Sequence, residues 1–162
     1  MKITLFALNS SYVHTNLAVR CIAKSLTAHG FSASVKERSM KDRTREILHA
    51  LAESNADVYG FSVYIWNRAA MLSLAADLHE IRPDAKIVFG GPEISFEDES
   101  FFSSYPYVDN IIAGEGEESF VTYCTKFPPR HTIIMSNPYA DFVHTGILYD
   151  EYPPDAHSGG IL

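Results

Sequence analysis

The sequence contains none of the common nucleotide-binding motifs. No GxGxxG follows the first apolar stretch and no GxxxxGK[ST] occurs in the 162 residues, so a dinucleotide site or a P-loop has little support. A phosphoryl-receiver domain needs acidic residues at the ends of its first and third strands to hold Mg²⁺, and this chain has Leu8-Asn9 and Ser62-Val63-Tyr64 there. These absences disfavour NAD, ATP and phosphoryl-receiver chemistry.

Basic residues, long apolar runs and cysteines are also scarce. The 13 basic residues face 20 acidic ones, a net charge of −7, so long duplex nucleic acid is not an expected partner. The N-terminal apolar stretch runs for about six residues before Asn9-Ser10-Ser11, which fits neither a signal peptide nor a membrane span. We therefore expect a cytoplasmic protein with no membrane partner. Cys21 and Cys124 lack metal-ligand spacing and are expected to be buried thiols.

Two periodicities alternate along the first 127 residues. Runs rich in Ile, Val, Phe and Tyr alternate with segments whose apolar residues recur at helical spacing. This alternation predicts an α/β fold: a doubly wound, Rossmann-like parallel sheet of five strands with helices on both faces, in the flavodoxin-like order 2-1-3-4-5. The predicted strands are 2–8, 32–38, 57–64, 85–90 and 109–113.

Local signals mark the ends of the predicted helices. Thr15 or Asn16 can cap the first helix and Gly30 can end it, while Asn67 can cap the third and Pro83 forbids its continuation. The second helix is predicted over 42–54, a short fourth one within 97–107, and a fifth from about residue 115.

Residues 128–162 differ from the rest in composition. Prolines 128, 129, 138, 153 and 154 interrupt any long element. Thr132 to Met135 can form an edge strand, although an extended loop is more typical of such proline-rich tails. We expect one domain over 1–127, followed by a linker over 128–162.

Two glycine turns follow predicted strands, Gly90-Gly91-Pro92-Glu93 and Gly114-Glu115-Gly116-Glu117. In an open parallel sheet, ligands bind beyond the carboxyl ends of the strands. We expect the crevice between the first and third strands, with the loops 9–16 and 62–68 and both turns at its rim. Small residues there indicate close backbone approach to a bulky ligand.

Three segments in this order carry a resemblance to a known family. They are Gly60-Phe61-Ser62-Val63-Tyr64-Ile65-Trp66-Asn67, Val88-Phe89-Gly90-Gly91-Pro92-Glu93, and Asp109 followed by Gly114-Glu115-Gly116-Glu117-Glu118-Ser119-Phe120. Residues 1–127 resemble the N-terminal cobalamin (B12)-binding domain of B12-dependent radical SAM proteins.

The resemblance implies a set of cofactor-binding residues. Ser62 would lie near the nucleotide tail of cobalamin, Gly90 and Gly91 would let that tail pass, and residues 114–117 would line its far side. We also expect Gly91→Val to block the tail while the fold stays soluble. The candidates are Asn9, Ser10, Ser11, Tyr12, His14, Ser62, Val63, Tyr64, Trp66, Asn67, Gly90, Gly91, Pro92, Glu93, Gly114, Glu115, Gly116 and Glu117.

The loop after the first strand departs from the DxHxxG motif of other cobalamin domains, whose histidine ligates cobalt. His14 has no Asp two residues before it and no Gly three after it, and that Asp would orient the imidazole. The resemblance therefore favours base-off cobalamin without a histidine ligand. Tyr12, Tyr64 and Trp66 either stack on the corrin or complete the core.

The catalytic part of such a protein is not in this sequence. A radical SAM [4Fe–4S] cluster needs a CxxxCxxC motif, which is absent here and which the family places just after a tail like this one. We expect the chain to be an N-terminal fragment whose parent also uses S-adenosylmethionine and the cluster. No catalytic or metal-ligating set is readable, so the fragment alone is expected to bind cofactor without turnover.

Two alternatives stay open at this point. In a flavodoxin-like electron carrier, Ser10, Ser11 and Thr15 would hold the FMN phosphate, with Tyr12 or Trp66 beside the flavin. In a non-catalytic interaction domain on the same fold, the glycine turns would be structural only.

Overall fold

The computed structural model describes residues 1–11 and 15–136. Six parallel strands form one sheet in the order β2-β1-β3-β4-β5-β6. The elements are β1 Lys2–Asn9, α1 Leu17–Ala28, β2 Ser32–Ser39, α2 Thr44–Glu53, β3 Val58–Ser62, α3 Arg68–Ile81, β4 Lys86–Gly90, α4 Phe101–Ser104, β5 Asn110–Ala113, α5 Glu117–Lys126 and β6 Thr132–Met135.

The helix ends follow the sequence signals, with one exception. Asn16 caps α1, its side-chain oxygen accepting from the Val19 N–H at 3.2 Å, and Gly30 follows with a φ of +84°. Helix α3 ends before Pro83, as predicted. Asn67 occupies the N-cap position of α3 but makes no side-chain capping bond, because its amide is bonded to the loop and to β1 instead.

The sheet separates two hydrophobic cores. Tyr59, Phe61 and Phe89 pack on the face covered by α2, α3 and α4. Val58 and Val88 pack on the opposite face against α1 and α5. Because successive side chains of a strand alternate between faces, Gly60, Ser62 and Gly90 also face α1 and α5. This second face carries the site described below.

The sixth strand is where the structure differs from the predicted five-stranded sheet. It pairs in parallel with β5, and Ile133 and Ile134 pack against the two cores on opposite faces. The Asn110 amide donates to the carbonyls of Pro129 (2.8 Å) and Thr132 (3.2 Å). These contacts fix a segment whose prolines alone predict an extended loop. Residues 138, 153 and 154 lie outside the described part of the chain.

Two further expectations concern burial and membranes. Cys21 and Cys124 are both buried, and burial raises the pKa of the Cys124 thiol to about 12. Within residues 1–11 and 15–136, no helix combines the length and apolar composition needed to cross a bilayer.

Candidate functional site

A cavity of about 310 Å³ lies between the sheet, α1 and α5 at the carboxyl end of the strands. Most of the strand residues that line it belong to β3 and β4. The predicted crevice lies between β1 and β3, so the cavity is shifted by one strand toward β4. The sheet contributes Leu5, Gly60, Phe61, Ser62, Val88, Phe89, Gly90 and Ile112 to its lining, and the helices contribute Ala18, Val19, Ile22, Glu117 and Phe120. Tyr64, residues 91, 92 and 95, and residues 114–116 complete the rim.

Gly90, the small residue at the end of β4, keeps this cavity open. A Cβ built on Gly90 would meet, among the described residues, the Ile112 carbonyl oxygen at 3.5 Å, an ordinary contact. A side chain at position 90 would therefore fit the backbone and project into the cavity. Gly60 has another role, since its Cβ would lie 2.8 Å from the Phe120 ring, and that ring packs directly on the strand.

Gly91 lies at the rim of the cavity, and the turn itself also requires a glycine at this position. Its φ is +110°, and a Cβ there would lie 2.5 Å from the Val63 carbonyl oxygen. The Val63 N–H donates to the Gly90 carbonyl at 2.7 Å, so the turn packs against the backbone that follows β3. The sequence predicts that Gly91→Val blocks the tail while the fold stays soluble, but the structure shows that this substitution also strains the backbone of the turn.

Ser95 joins the two glycine turns. Its hydroxyl donates to the Gly91 carbonyl at 2.8 Å and accepts from the Gly114 N–H at 3.2 Å. Ser136, directly after β6, accepts from the Glu115 N–H at 3.1 Å. The rim of the cavity is therefore held by two hydroxyls, one of them supplied by the segment that the sequence predicts as a linker.

A polar cluster closes the cavity on the side of α1. The Asn16 amide nitrogen lies 3.4 Å from Ser62 Oγ and 3.5 Å from the Tyr64 hydroxyl. Ser62 is buried and faces the cavity, in agreement with its predicted place at the end of β3. These groups can accept or donate hydrogen bonds at the polar edge of a ligand.

Glu37 on β2 supports this cluster from behind. Burial on its own would raise the pKa of its carboxyl, but hydrogen bonds from the Asn16 backbone, the Asn9 amide and the Arg20 guanidinium outweigh burial and lower that pKa. The carboxylate accepts from the Asn16 N–H at 3.0 Å and from Asn9 Nδ2 at 2.8 Å. The start of α1 is thereby fixed to β1 and β2.

A second, more open hollow of about 420 Å³ adjoins the cavity at the predicted crevice between β1 and β3. Tyr64 lines both, and its ring stacks on Trp66 with centroids 4.6 Å apart and an interplanar angle of 14°. Trp66 is 52% exposed, so the pair offers a flat aromatic surface to solvent. The residues of this hollow are Asn9, Ser10, Thr15, Asn16, Leu17, Ala18, Tyr64 and Trp66.

Several predicted site residues lie away from the cavity. The Asn67 amide bonds to Leu8 and Ser62 carbonyls and to the Tyr64 N–H, and Val63 is fully buried. Glu93 faces Arg68, with 3.5 Å between their charged groups. Ser11 lines a third hollow with Arg20 and Glu37. Tyr12 and His14 lie outside the described residues.

Sequence reasoning assigned no site role to Ser95, Ser136, Ile22 or Phe120. Ile22 and Phe120 are apolar helix residues, and only their packing beside Gly60 and Gly116 distinguishes them. The sequence marks Asn16 as a possible helix cap, but a capping pattern does not predict its second contact, with Ser62. The contacts of Ser95 and Ser136 depend on the folded chain, and no local sequence pattern predicts them.

The cavity and its neighbouring hollow suit a large, flat ligand with a narrow appendage. The cavity has apolar walls and a polar rim, whereas the hollow has a stacked aromatic pair. In the described segments, no group of three or more His, Cys, Asp or Glu is arranged to hold a metal ion.

Comparison with known proteins points the same way. The model of the B12 binding domain family matches residues 3–123. A 2-(S-pantetheinyl)-carbapenam-3-carboxylate methyltransferase of Streptantibioticus cattleyicolor is 36% identical over 67 residues, 41% of this chain and 10% of that protein. The cobalamin-dependent radical SAM methyltransferase TokK of Streptomyces tokunonensis is 38% identical over 64 residues, 40% of this chain and 9% of that protein.

Solved structures share the fold at lower identity. The cobalamin-dependent S-adenosylmethionine radical enzyme OxsB, with aqua-cobalamin and S-adenosylmethionine bound, matches 76% of this chain and 18% of its own with a TM-score of 0.61 and 22% identity. A cobalamin-binding protein from Desulfitobacterium hafniense DCB-2 matches 78% of this chain and 58% of its own, with a TM-score of 0.55 and 20% identity. Since the family model covers every element from β1 into α5, this chain belongs to the B12-binding domain family.

Proposed function

We propose that this domain holds base-off cobalamin, with the nucleotide tail in the cavity between α1 and α5 and the corrin ring above the carboxyl edge of the sheet. The observation that carries the proposal is Gly90. Its missing side chain would project into the cavity without a clash, so glycine there is explained by a ligand and not by protein packing. The FMN carrier and the interaction domain are not favoured, because the chain belongs to the B12-binding domain family.

The residues present fit the chemistry of the tail. A benzimidazole is flat and mostly apolar, and the apolar surface that lines the cavity exceeds the polar surface. Ser62 and Ser95 supply hydroxyls at the upper part of the cavity, where the ribose and phosphate of a tail would pass. Gly114 and Gly116 also line the cavity, but Ser136 and Ile22 occupy the space where their Cβ atoms would lie, so packing within the chain explains these two glycines.

The stacked pair Tyr64 and Trp66 is proposed to support the corrin. Both rings lie beside the cavity mouth, and an aromatic surface packs well against a flat macrocycle. Asn9 and Ser10 line the same hollow and are within the proposed corrin site. When bound, cobalamin supplies cobalt chemistry for methyl transfer or another radical reaction; this chain's residues bind it, orient it and exclude water from its tail.

The proposal extends to the parent protein. The segments matched in the two methyltransferases span 10% and 9% of those proteins. We therefore propose that β1 to β6 form the B12-binding domain, which extends the predicted boundary at residue 127 to include the strand paired with β5, and that the chain after β6 leads to a C-terminal radical SAM domain of the same parent chain. That domain would hold the [4Fe–4S] cluster and S-adenosylmethionine. We also propose a cytoplasmic location.

A binding experiment tests the proposal. The purified chain is incubated with hydroxocobalamin or with FMN, desalted, and examined by absorption spectroscopy. Retained corrin bands at one equivalent, with no retained flavin bands, are the expected result. Retained flavin without corrin would favour the electron carrier instead, and retention of neither would contradict cofactor binding by this domain.

A further inference from the structure

We propose that the cavity selects among corrinoids by the chemistry of the tail base and favours a benzimidazole over a purine. This inference rests on the proposed function, since it assumes that the tail enters the cavity. It is carried by the way polar and apolar side chains are separated along the depth of the cavity.

The register of the sheet divides the strand residues of the cavity into two layers. Leu5 pairs with Gly60, and Gly60 pairs with Val88, which forms the deep layer. Two residues further along the strands, Ser62 pairs with Gly90 in the upper layer. Side chains two residues apart point to the same face, so both layers look toward α1 and α5.

The deep layer offers no polar side chain among the described residues that line the cavity. Leu5 and Val88 are buried and apolar, and Phe120 fills the space beside Gly60. Asn110, the partner of Val88 on β5, does not line the cavity, and its amide nitrogen donates to Pro129 and Thr132. The polar lining residues are Ser62, Tyr64, Ser95, Glu115 and Glu117, which belong to the upper layer, the rim and the first turn of α5.

This separation affects the two kinds of base differently. The six-membered ring of dimethylbenzimidazole is hydrocarbon, and burying it beside Leu5, Val88 and Phe120 is favourable. An adenine carries two ring nitrogens and an exocyclic amine at the corresponding end, and these groups would lose water without gaining a side-chain partner in the deep layer. We expect the adenine-tailed cobamide to bind roughly tenfold to a hundredfold more weakly.

The test compares three corrinoids on the complete 162-residue chain. Cobalamin, the adenine-tailed cobamide and cobinamide, which lacks the base, are titrated while the fluorescence of Trp66 is followed; this is the single tryptophan and lies beside the proposed corrin site. The expected order of affinity is cobalamin first, with both others weaker. Equal or tighter binding of the adenine-tailed cobamide would overturn the inference.

A pair of matched substitutions locates the selectivity. Val88→Thr places a hydroxyl in the deep layer with little change of shape, and should reduce the preference for cobalamin at least severalfold. Val58→Thr is the control, because Val58 is buried on the same face but does not line the cavity, and it should leave the ratio of affinities unchanged. An equal change in both variants would contradict the layer argument.

Failure of the proposed function gives a different pattern. If cobinamide binds as tightly as cobalamin, the tail does not contribute and the proposed site is wrong. If cobalamin does bind more tightly than cobinamide, but the adenine-tailed cobamide matches it, the tail site stands and only the selectivity is refuted. The wild-type titrations alone decide between these outcomes, even if a variant fails to fold.

Discussion

Gly90 and Gly91 are neighbours with different physical reasons to be glycine. Gly90 ends β4 with an ordinary backbone and faces the cavity, whereas Gly91 has a φ of +110° and touches the backbone of Val63. Ligand space explains the first glycine, and backbone geometry explains the second. A substitution at each position therefore separates loss of binding from loss of folding.

We predict that Gly90→Val abolishes retention of cobalamin while the thermal midpoint of unfolding stays within a few degrees of wild type, since only an ordinary contact forms at the Ile112 carbonyl. Gly91→Val should instead lower stability by at least about 2 kcal/mol through backbone strain. Thermal unfolding and desalting with hydroxocobalamin measure both effects. Wild-type retention by a folded Gly90→Val would show that the tail does not pass β4.

Only part of the site was predictable from the residues. Ser62 and the two glycine turns follow from the pattern of strand ends, because polar or small residues there stand out against apolar strands. Ser95 does not stand out, since Gly114 is 19 positions away from it in the sequence and their hydrogen bond can form only once the sheet has brought the two turns together. Glu93 differs from Ser95, because its place in the turn predicts a ligand contact, whereas in the fold its carboxylate faces Arg68; the ligand contact stays a prediction.

At the scale of elements, one carboxylate connects three of them. Glu37 on β2 bonds to Asn9 on β1 and to Asn16 and Arg20 at the start of α1. Its side chain is 15% exposed, so these bonds are shielded from water more than a surface ion pair would be. The position of α1, and with it one wall of the cavity, depends on this carboxylate.

We predict that Glu37→Gln lowers the free energy of unfolding at neutral pH by about 1–3 kcal/mol, because charged hydrogen bonds are lost. Since folding lowers the pKa of Glu37 from its ordinary value of 4.5, its contribution is complete well above that value and declines as the pH falls below it. Denaturant unfolding at neutral pH and at about pH 3 should thus show a difference from wild type that shrinks in acid.

Glu46→Gln, on α2, is the control for Glu37→Gln. The Glu46 carboxylate lies 3.9 Å from Arg43, and both side chains are largely exposed, so its loss should change stability by less than about 1 kcal/mol at either pH. A Glu37→Gln variant as stable as wild type at neutral pH would show that α1 is held by packing alone.

The elements themselves were mostly predictable, with β6 as the informative exception. The five predicted strands and the helices predicted between them all form. The sequence leaves Thr132–Met135 open, as an edge strand or as the extended loop that its neighbouring prolines favour. Tertiary contacts make this segment a strand: Ile133 and Ile134 pack against the two cores, and the Asn110 amide donates to the Pro129 carbonyl. A local sequence pattern cannot predict these contacts, because they join residues that are distant in the sequence.

At the scale of the molecule, the two edges of the sheet differ in chemistry. At the amino edge, buried Asp109 is enclosed by Lys86 and Arg130, whose nitrogens lie 3.6 Å and 2.6 Å from its carboxylate, so this carboxylate is paired within the chain. Exposed apolar side chains occur at both edges, for example Trp66 and Phe96 at the carboxyl edge and Ile81 and Phe127 at the amino edge. The cavity lies at the carboxyl edge, which is where an open parallel sheet receives a ligand.

A crystal structure of this chain grown with cobalamin shows directly whether the cavity between α1 and α5 receives the nucleotide tail. We predict electron density for the benzimidazole in that cavity, beside Gly90 and within contact of Val88 and Phe120, with the base detached from cobalt. Density showing the base still coordinated to cobalt, with the cavity empty or filled by water, would contradict it.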